Sequence, residues 1–163
     1  MVFESYFLLK NVMVVIYMGI LIEIAVTDWK KLVIYDRSNW MIMVLAGLNM
    51  IFYPETGVID HLRGAVIIAL PMLMLAIVIP QVFGGGDIKL MAVSGLLLGT
   101  KLVVCAMILA IFASGGYVIL MFVLKKIKKG DRFAFGPFLS LGLAVSVVWG
   151  EEIIDWYLFI TKF

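Results

Sequence analysis

Long apolar runs, separated by short polar connections, dominate the chain from end to end. Six such runs stand out: Tyr6 to Thr27, Ser38 to Tyr53, Gly64 to Phe83, Ile88 to Thr100, Leu102 to Leu124 and Phe135 to Trp149. None of them alternates with a period of two, and no ten-residue dyad pattern recurs, which argues against a membrane β-barrel. The pattern predicts an all-α, polytopic membrane protein with about six transmembrane helices. No linker, low-complexity tract or internal repeat interrupts it, so residues 1–163 are expected to form a single membrane-embedded domain.

The runs are unequal, and the inequality is informative. The fourth holds about 13 residues, which at about 1.5 Å each cover only about 20 Å of a hydrocarbon core about 30 Å thick. With Lys101 at the far surface, the near end of this helix stops inside the membrane, and Asp87 sits there. Irregular backbone at such depth is tolerated only where protein buries it or water reaches it. A water-filled cavity is therefore expected at Asp87. The first run lacks a basic leading segment and a small-residue cleavage site, and it is too long for a signal peptide, so it is expected to be the first span.

Composition agrees with the pattern. The chain is 64% hydrophobic and 15% charged, with a mean hydropathy of +1.15, whereas soluble domains carry about a quarter charged residues. The distribution of charge gives an orientation. Lys30, Lys31, Arg37, Lys89, Lys125, Lys126, Lys128, Lys129 and Arg132 fall on one side of the six-span frame, against Lys10, Arg63, Lys101 and Lys162 elsewhere. Basic residues favour the cytoplasmic face, which places the larger group there and both termini outside. The same rule accounts for the basic loop from Lys125 to Arg132, so no nucleic-acid partner is expected; membrane lipids are. The tail from Glu151 to Phe163 mixes acids with Ile153, Ile154, Trp156, Tyr157 and Phe159, and reads as an interfacial amphipathic segment.

Ionisable groups near a membrane core are costly, so each needs a reason. Asp28 closes the first run in Ala25-Val26-Thr27-Asp28-Trp29-Lys30-Lys31, and Asp87 opens the fourth in Phe83-Gly84-Gly85-Gly86-Asp87-Ile88-Lys89-Leu90. The expected topology brings both to one face. Taken singly, each is ordinary, a solvated span end or a helix cap. Gly84, Gly85 and Gly86 alter that reading: glycine permits positive φ and close approach of another chain, as an extended peptide held beside an acid requires. Two carboxylates sharing a proton can hydrolyse a peptide bond, one as general base on water and the other as general acid, with no cofactor, metal or covalent nucleophile.

Other groups are weaker candidates. Glu23 lies about 140° round a helix from Asp28 and is expected to pair with Lys10 or another polar group. Lys89 could steady the ionised pair or extend to lipid headgroups. Cys105 cannot form an internal disulfide, and with His61 alone beside it no zinc site is expected. His61 itself reads as an ordinary residue of the polar connection Asp60-His61-Leu62-Arg63. Ser94, Ser114 and Ser140 lack a histidine base within the spans. Ser114-Gly115-Gly116 reads as a close helix-packing face.

Gly84-Gly85-Gly86-Asp87-Ile88-Lys89-Leu90 resembles the G-x-G-D-x-K-L signature of the type IV prepilin peptidases and their archaeal preflagellin relatives. Asp28 matches their first aspartate, which closes a span before a basic loop. Phe135-Gly136-Pro137-Phe138-Leu139, followed by Leu141-Gly142, is similar to their F-G-P-F-L-x-x-G segment. The resemblance covers about residues 15 to 145 and implies an aspartyl endopeptidase of the inner membrane, without cofactor. Its substrate would be a prepilin-like precursor, whose basic leader is cut at the cytoplasmic face. Asp28 and Asp87 would be the catalytic pair, with Gly84, Gly85, Gly86, Lys89, Gly136 and Pro137 shaping the site. The short chain looks like the minimal members that accompany Flp-type pili. Two departures stand: relatives carry Ile-Pro-Asn where this chain reads Ile34-Tyr35-Asp36, which makes Asp36 a rival to Asp28. They also place a cysteine-rich domain, associated with N-methylation, where only about ten residues lie here. The residues by themselves also fit a presenilin-like intramembrane protease or a non-enzymatic proton-coupled channel or transporter.

Overall fold

A computed structural model describes residues 2–52, 57–79, 82–126 and 133–161. Every regular element among them is helical: α1 (Val2–Lys31), α2 (Asp36–Phe52), α3 (Val58–Ile67), α4 (Ala69–Val78), α5 (Gly85–Leu98), α6 (Thr100–Val123) and α7 (Gly136–Thr161). Lys30 and Lys31 occupy the last turn of α1, where cations suit the helix dipole, and Leu32 ends it at φ 54°. Helices α3 and α4 form one rod broken at Ile68. Pro71 explains the break: it has no N–H for the Ile67 carbonyl, and its ring crowds that carbonyl. The reversal from α5 to α6 turns on Gly99 alone, at φ 81°. The Asp60 carboxylate accepts the Thr100 N–H at 3.1 Å and braces this corner.

The all-helical expectation holds, but the count of spans needs qualification. Among the described residues, four segments are long and apolar enough to cross a membrane: Leu8–Lys31, Val58–Val78, Thr100–Val123 and Gly136–Thr161. The 17 described residues of α2 and the 14 of α5 make shorter helices. The third rod also begins earlier than the hydropathy pattern placed it. Asp60, His61, Leu62 and Arg63 belong to α3 and are not a connection. His61 is buried, with Nδ1 2.8 Å from the Leu96 carbonyl oxygen. The tail is likewise no separate interfacial segment, because α7 continues unbroken through Glu151 and Trp156 to Thr161. Tyr53, at the end of the second run, and Lys128, Lys129 and Arg132 of the basic loop lie outside the described residues.

The bundle is held along the pairings α6–α7, α1–α7, α3–α5 and α2–α5. Tyr17, Leu21, Ile24, Ile42, Leu90, Met91, Leu139 and Leu143 fill its interior. Val15, Ile77, Val78, Phe112 and Phe122 point outward from it, each exposed. Burying such a side chain from water is worth roughly 1.5–3 kcal/mol, so a surface studded with them suits hydrocarbon. Two crossings depend on absent side chains. A Cβ on Gly95 would run into the Gly64 carbonyl, and one on Gly142 would run into the Ala106 carbonyl. Gly115 and Gly116, expected to form such a face, have nothing within 4 Å of an added Cβ. They sit on an open side of α6.

Candidate active site

Three helix ends converge on the candidate site: the last turns of α1 and the first turns of α5 and α7. Asp28 lies within α1, not beyond it, because the helix runs one further turn to Lys31. It is 6% exposed, and its Oδ2 accepts the backbone N–H of Gly136 at 2.8 Å. That N–H is one of the unpaired donors at the start of α7, so the carboxylate from one helix caps another. Gly136 is required sterically, since a Cβ there would stand 2.7 Å from Asp28 Oδ2 and 2.9 Å from its Cγ. Pro137, in the first turn, gives up an N–H that has no helical partner in any case.

Asp87 is 8% exposed and lies in the first turn of α5. Gly84 is the N-cap residue, with extended backbone at φ −73°, and its N–H donates to Asp87 Oδ2 at 3.1 Å. The aspartate thus reaches back over the helix start rather than capping it from outside. Gly85 and Gly86 have already entered the helix, and none of Gly84, Gly85 and Gly86 has positive φ. What Gly86 provides is close approach: a Cβ there would lie 2.8 Å from Ile34 Cβ, which seats the α1–α2 connection on α5. Asp28 and Asp87 are thus both buried carboxylates, each held by a backbone N–H at a helix start.

Lys89 Nζ lies 2.7 Å from Oδ1 of Asp36, the first residue of α2, and both side chains are exposed. Glu23 finds Arg37 at 2.7 Å and Ser38 at 3.3 Å, rather than Lys10. Sequence reasoning missed an arc of aromatic rings bordering the pair. Trp29 meets Tyr117 at 5.9 Å, Tyr117 meets Phe138 at 5.2 Å, and Phe138 meets Phe133 at 6.4 Å. Phe133 then meets Phe135 at 6.4 Å and Phe135 meets Phe83 at 5.7 Å. The signal lay in the motifs themselves, because Trp29, Phe83 and Phe135 directly adjoin Asp28, Gly84 and Gly136. Among the described residues no cluster of three or more His, Cys, Asp or Glu could hold a metal ion.

Comparison with known proteins follows the same residues. The profile of the type IV leader peptidase family matches residues 15–119, which include Asp28 and Asp87 but stop short of Gly136. A prepilin leader peptidase/N-methyltransferase of Bacillus subtilis (strain 168) is 26% identical over 144 residues, 88% of this chain and 58% of the relative. A protein of the same name from Aeromonas salmonicida (strain A449) is 29% identical over 75 residues, 46% of this chain and 26% of the relative. The chain thus spans about half the length of the first relative and a quarter of the second. No solved structure matches it significantly.

Proposed function

Because the chain belongs to the type IV leader peptidase family, we propose that it is a membrane aspartyl endopeptidase that removes the leader of type IV prepilin-like precursors. The observation that carries this reading is the burial of Asp28 and Asp87 at one end of the bundle, each bonded to a backbone N–H at a helix start. A pair of this kind holds one proton in common. In this reading Asp28 is the ionised member and acts as general base on a water molecule, and Asp87 is the general acid. It polarises the scissile carbonyl and then passes its proton to the leaving amine. The water oxygen joins the carbonyl carbon as Asp28 takes a proton from the water, the C–N bond then breaks as Asp87 gives its proton to the nitrogen, and the pair is left holding one proton.

Six membrane spans are part of the proposal, with α2 and α5 as short ones completed by their neighbours. The basic asymmetry then sets the pair toward the cytoplasm, in the inner membrane. The aromatic arc from Trp29 to Phe83 provides an apolar border along which a substrate segment can lie. Co-expression with a tagged candidate prepilin, followed by sequencing of the mature N-terminus, tests the function. A new N-terminus at the leader junction supports it, and an uncut precursor beside a stably inserted protein contradicts it. Methyl transfer is a separate matter. Only residues 32–35 separate α1 from α2, leaving no room there for a cysteine-rich domain. Purified protein with substrate and a methyl donor is expected to yield a mature N-terminus without the added mass of a methyl group. Mass spectrometry decides it.

A further inference from the structure

Asn39 is buried in α2, 5% exposed, and neither atom of its carboxamide is reached by solvent or finds a hydrogen-bond partner. A dry, unpartnered amide is expensive, and such groups in a folded chain call for an explanation. Neighbouring polar groups of α2 do find partners. Ser38, one residue before, bonds Glu23, and Asn49, on the same face two to three turns on, donates through Nδ2 to the Leu97 carbonyl at 3.4 Å.

Contacts along α2 fix its depth against α5. Ile34, just before α2, packs on Gly86; Asp36 pairs with Lys89; Asn49 bonds Leu97. The two helices therefore run in the same direction. Asn39, between the first two ties and the last, is level with Leu90 and Met91, one turn beyond Asp87. Its stripe, Asn39, Ile42, Ala46 and Asn49, is the one α2 turns toward α5. Asp87 has one carboxyl oxygen bonded to Gly84, which leaves Oδ1 for another partner.

We infer that Asn39 is a positioning residue for Asp87: when the site closes on a substrate, its carboxamide hydrogen-bonds the second oxygen of that carboxyl. The inference rests on the peptidase reading above. Asn39 touches no substrate. It would hold the Asp87 carboxyl in the orientation from which the proton is delivered, and its desolvation in the substrate-free protein is relieved only in that closed state.

Three variants test this: Asn39→Leu, which keeps the shape and removes both polar atoms; Asn39→Ser, which restores a donor and acceptor; and wild type. Cleavage of a prepilin substrate by purified protein should show Asn39→Leu losing about tenfold or more in kcat with KM within about twofold, as expected for an interaction made only in the transition state. Asn39→Ser should recover part of the loss. Thermal unfolding reads the same residue without substrate. Asn39→Leu should melt at or above wild type, because an apolar isostere removes an unsatisfied amide. Unchanged kcat in Asn39→Leu overturns the inference while leaving the peptidase reading intact. A lower melting temperature in both variants overturns it too, since the amide would then serve the fold. If wild type cleaves nothing, the peptidase reading falls, and the thermal comparison still decides whether the amide is held against the interest of stability.

Discussion

At the residue scale the account turns on how differently three aspartates are treated. Asp28 and Asp87 are buried and bonded to helix-start N–H groups, whereas Asp36 lies in the open against Lys89. An exposed pair such as Lys89–Asp36 contributes roughly 0–1 kcal/mol, so Asp36→Asn should keep most cleavage activity. Cleavage by the Asp28–Asp87 pair needs the one proton that the two aspartates hold between them, so activity should be lost at alkaline pH, where both are ionised, and should not be restored by raising substrate. Activity that climbs steadily above neutrality would oppose this. The sequence revealed the two aspartates because apolar runs make an isolated charge conspicuous. It did not reveal that Gly136 donates to Asp28, a contact across most of the chain that no local pattern encodes.

Glycine separates what is structural from what is incidental at the scale of helices. The α3–α5 crossing brings the backbones of Gly64 and Gly95 together, and the α6–α7 crossing does the same for Gly142 and Ala106. Gly95→Ala and Gly142→Ala should each cost about 1–3 kcal/mol, the usual range for forcing a methyl into packed atoms. Gly115→Ala, on an open helix side, should be neutral or stabilise by up to about 1 kcal/mol through helix propensity. Unfolding in detergent compares the three, and equal losses at Gly95 and Gly115 would contradict the packing described. Hydropathy could not have made this distinction, since Gly-Gly within α6 looks more like a packing face than isolated Gly95 does. Nor could it place the start of α3. Asp60, His61 and Arg63 read as a polar connection, yet Asp60 braces Thr100 and His61 turns inward to Leu96. Tertiary partners made these polar residues helical.

Over the whole molecule, the apolar pattern located every rod of the bundle and its all-helical class, because the need to satisfy backbone groups in lipid leaves few alternatives. Which rods cross fully is less legible, since the described residues of α2 and those of α5 fall below spanning length by themselves. Orientation follows from charge. Single cysteines at Arg63 and Lys101, in a protein with Cys105 replaced, should react with an impermeant thiol reagent outside intact cells, while those at Lys30 and Lys128 should not. Labelling of the Lys30 site from outside would put Asp28 and Asp87 on the wrong side for a leader. The central claim, that these two aspartates cut the leader, is met most directly by one comparison. Purified wild type, Asp28→Asn, Asp87→Asn and Asp36→Asn are incubated with a prepilin precursor, and the mature product is quantified. Cleavage by wild type and Asp36→Asn, with none by Asp28→Asn or Asp87→Asn in properly inserted protein, is the predicted result. Normal cleavage by Asp28→Asn, with loss in Asp36→Asn, would contradict it.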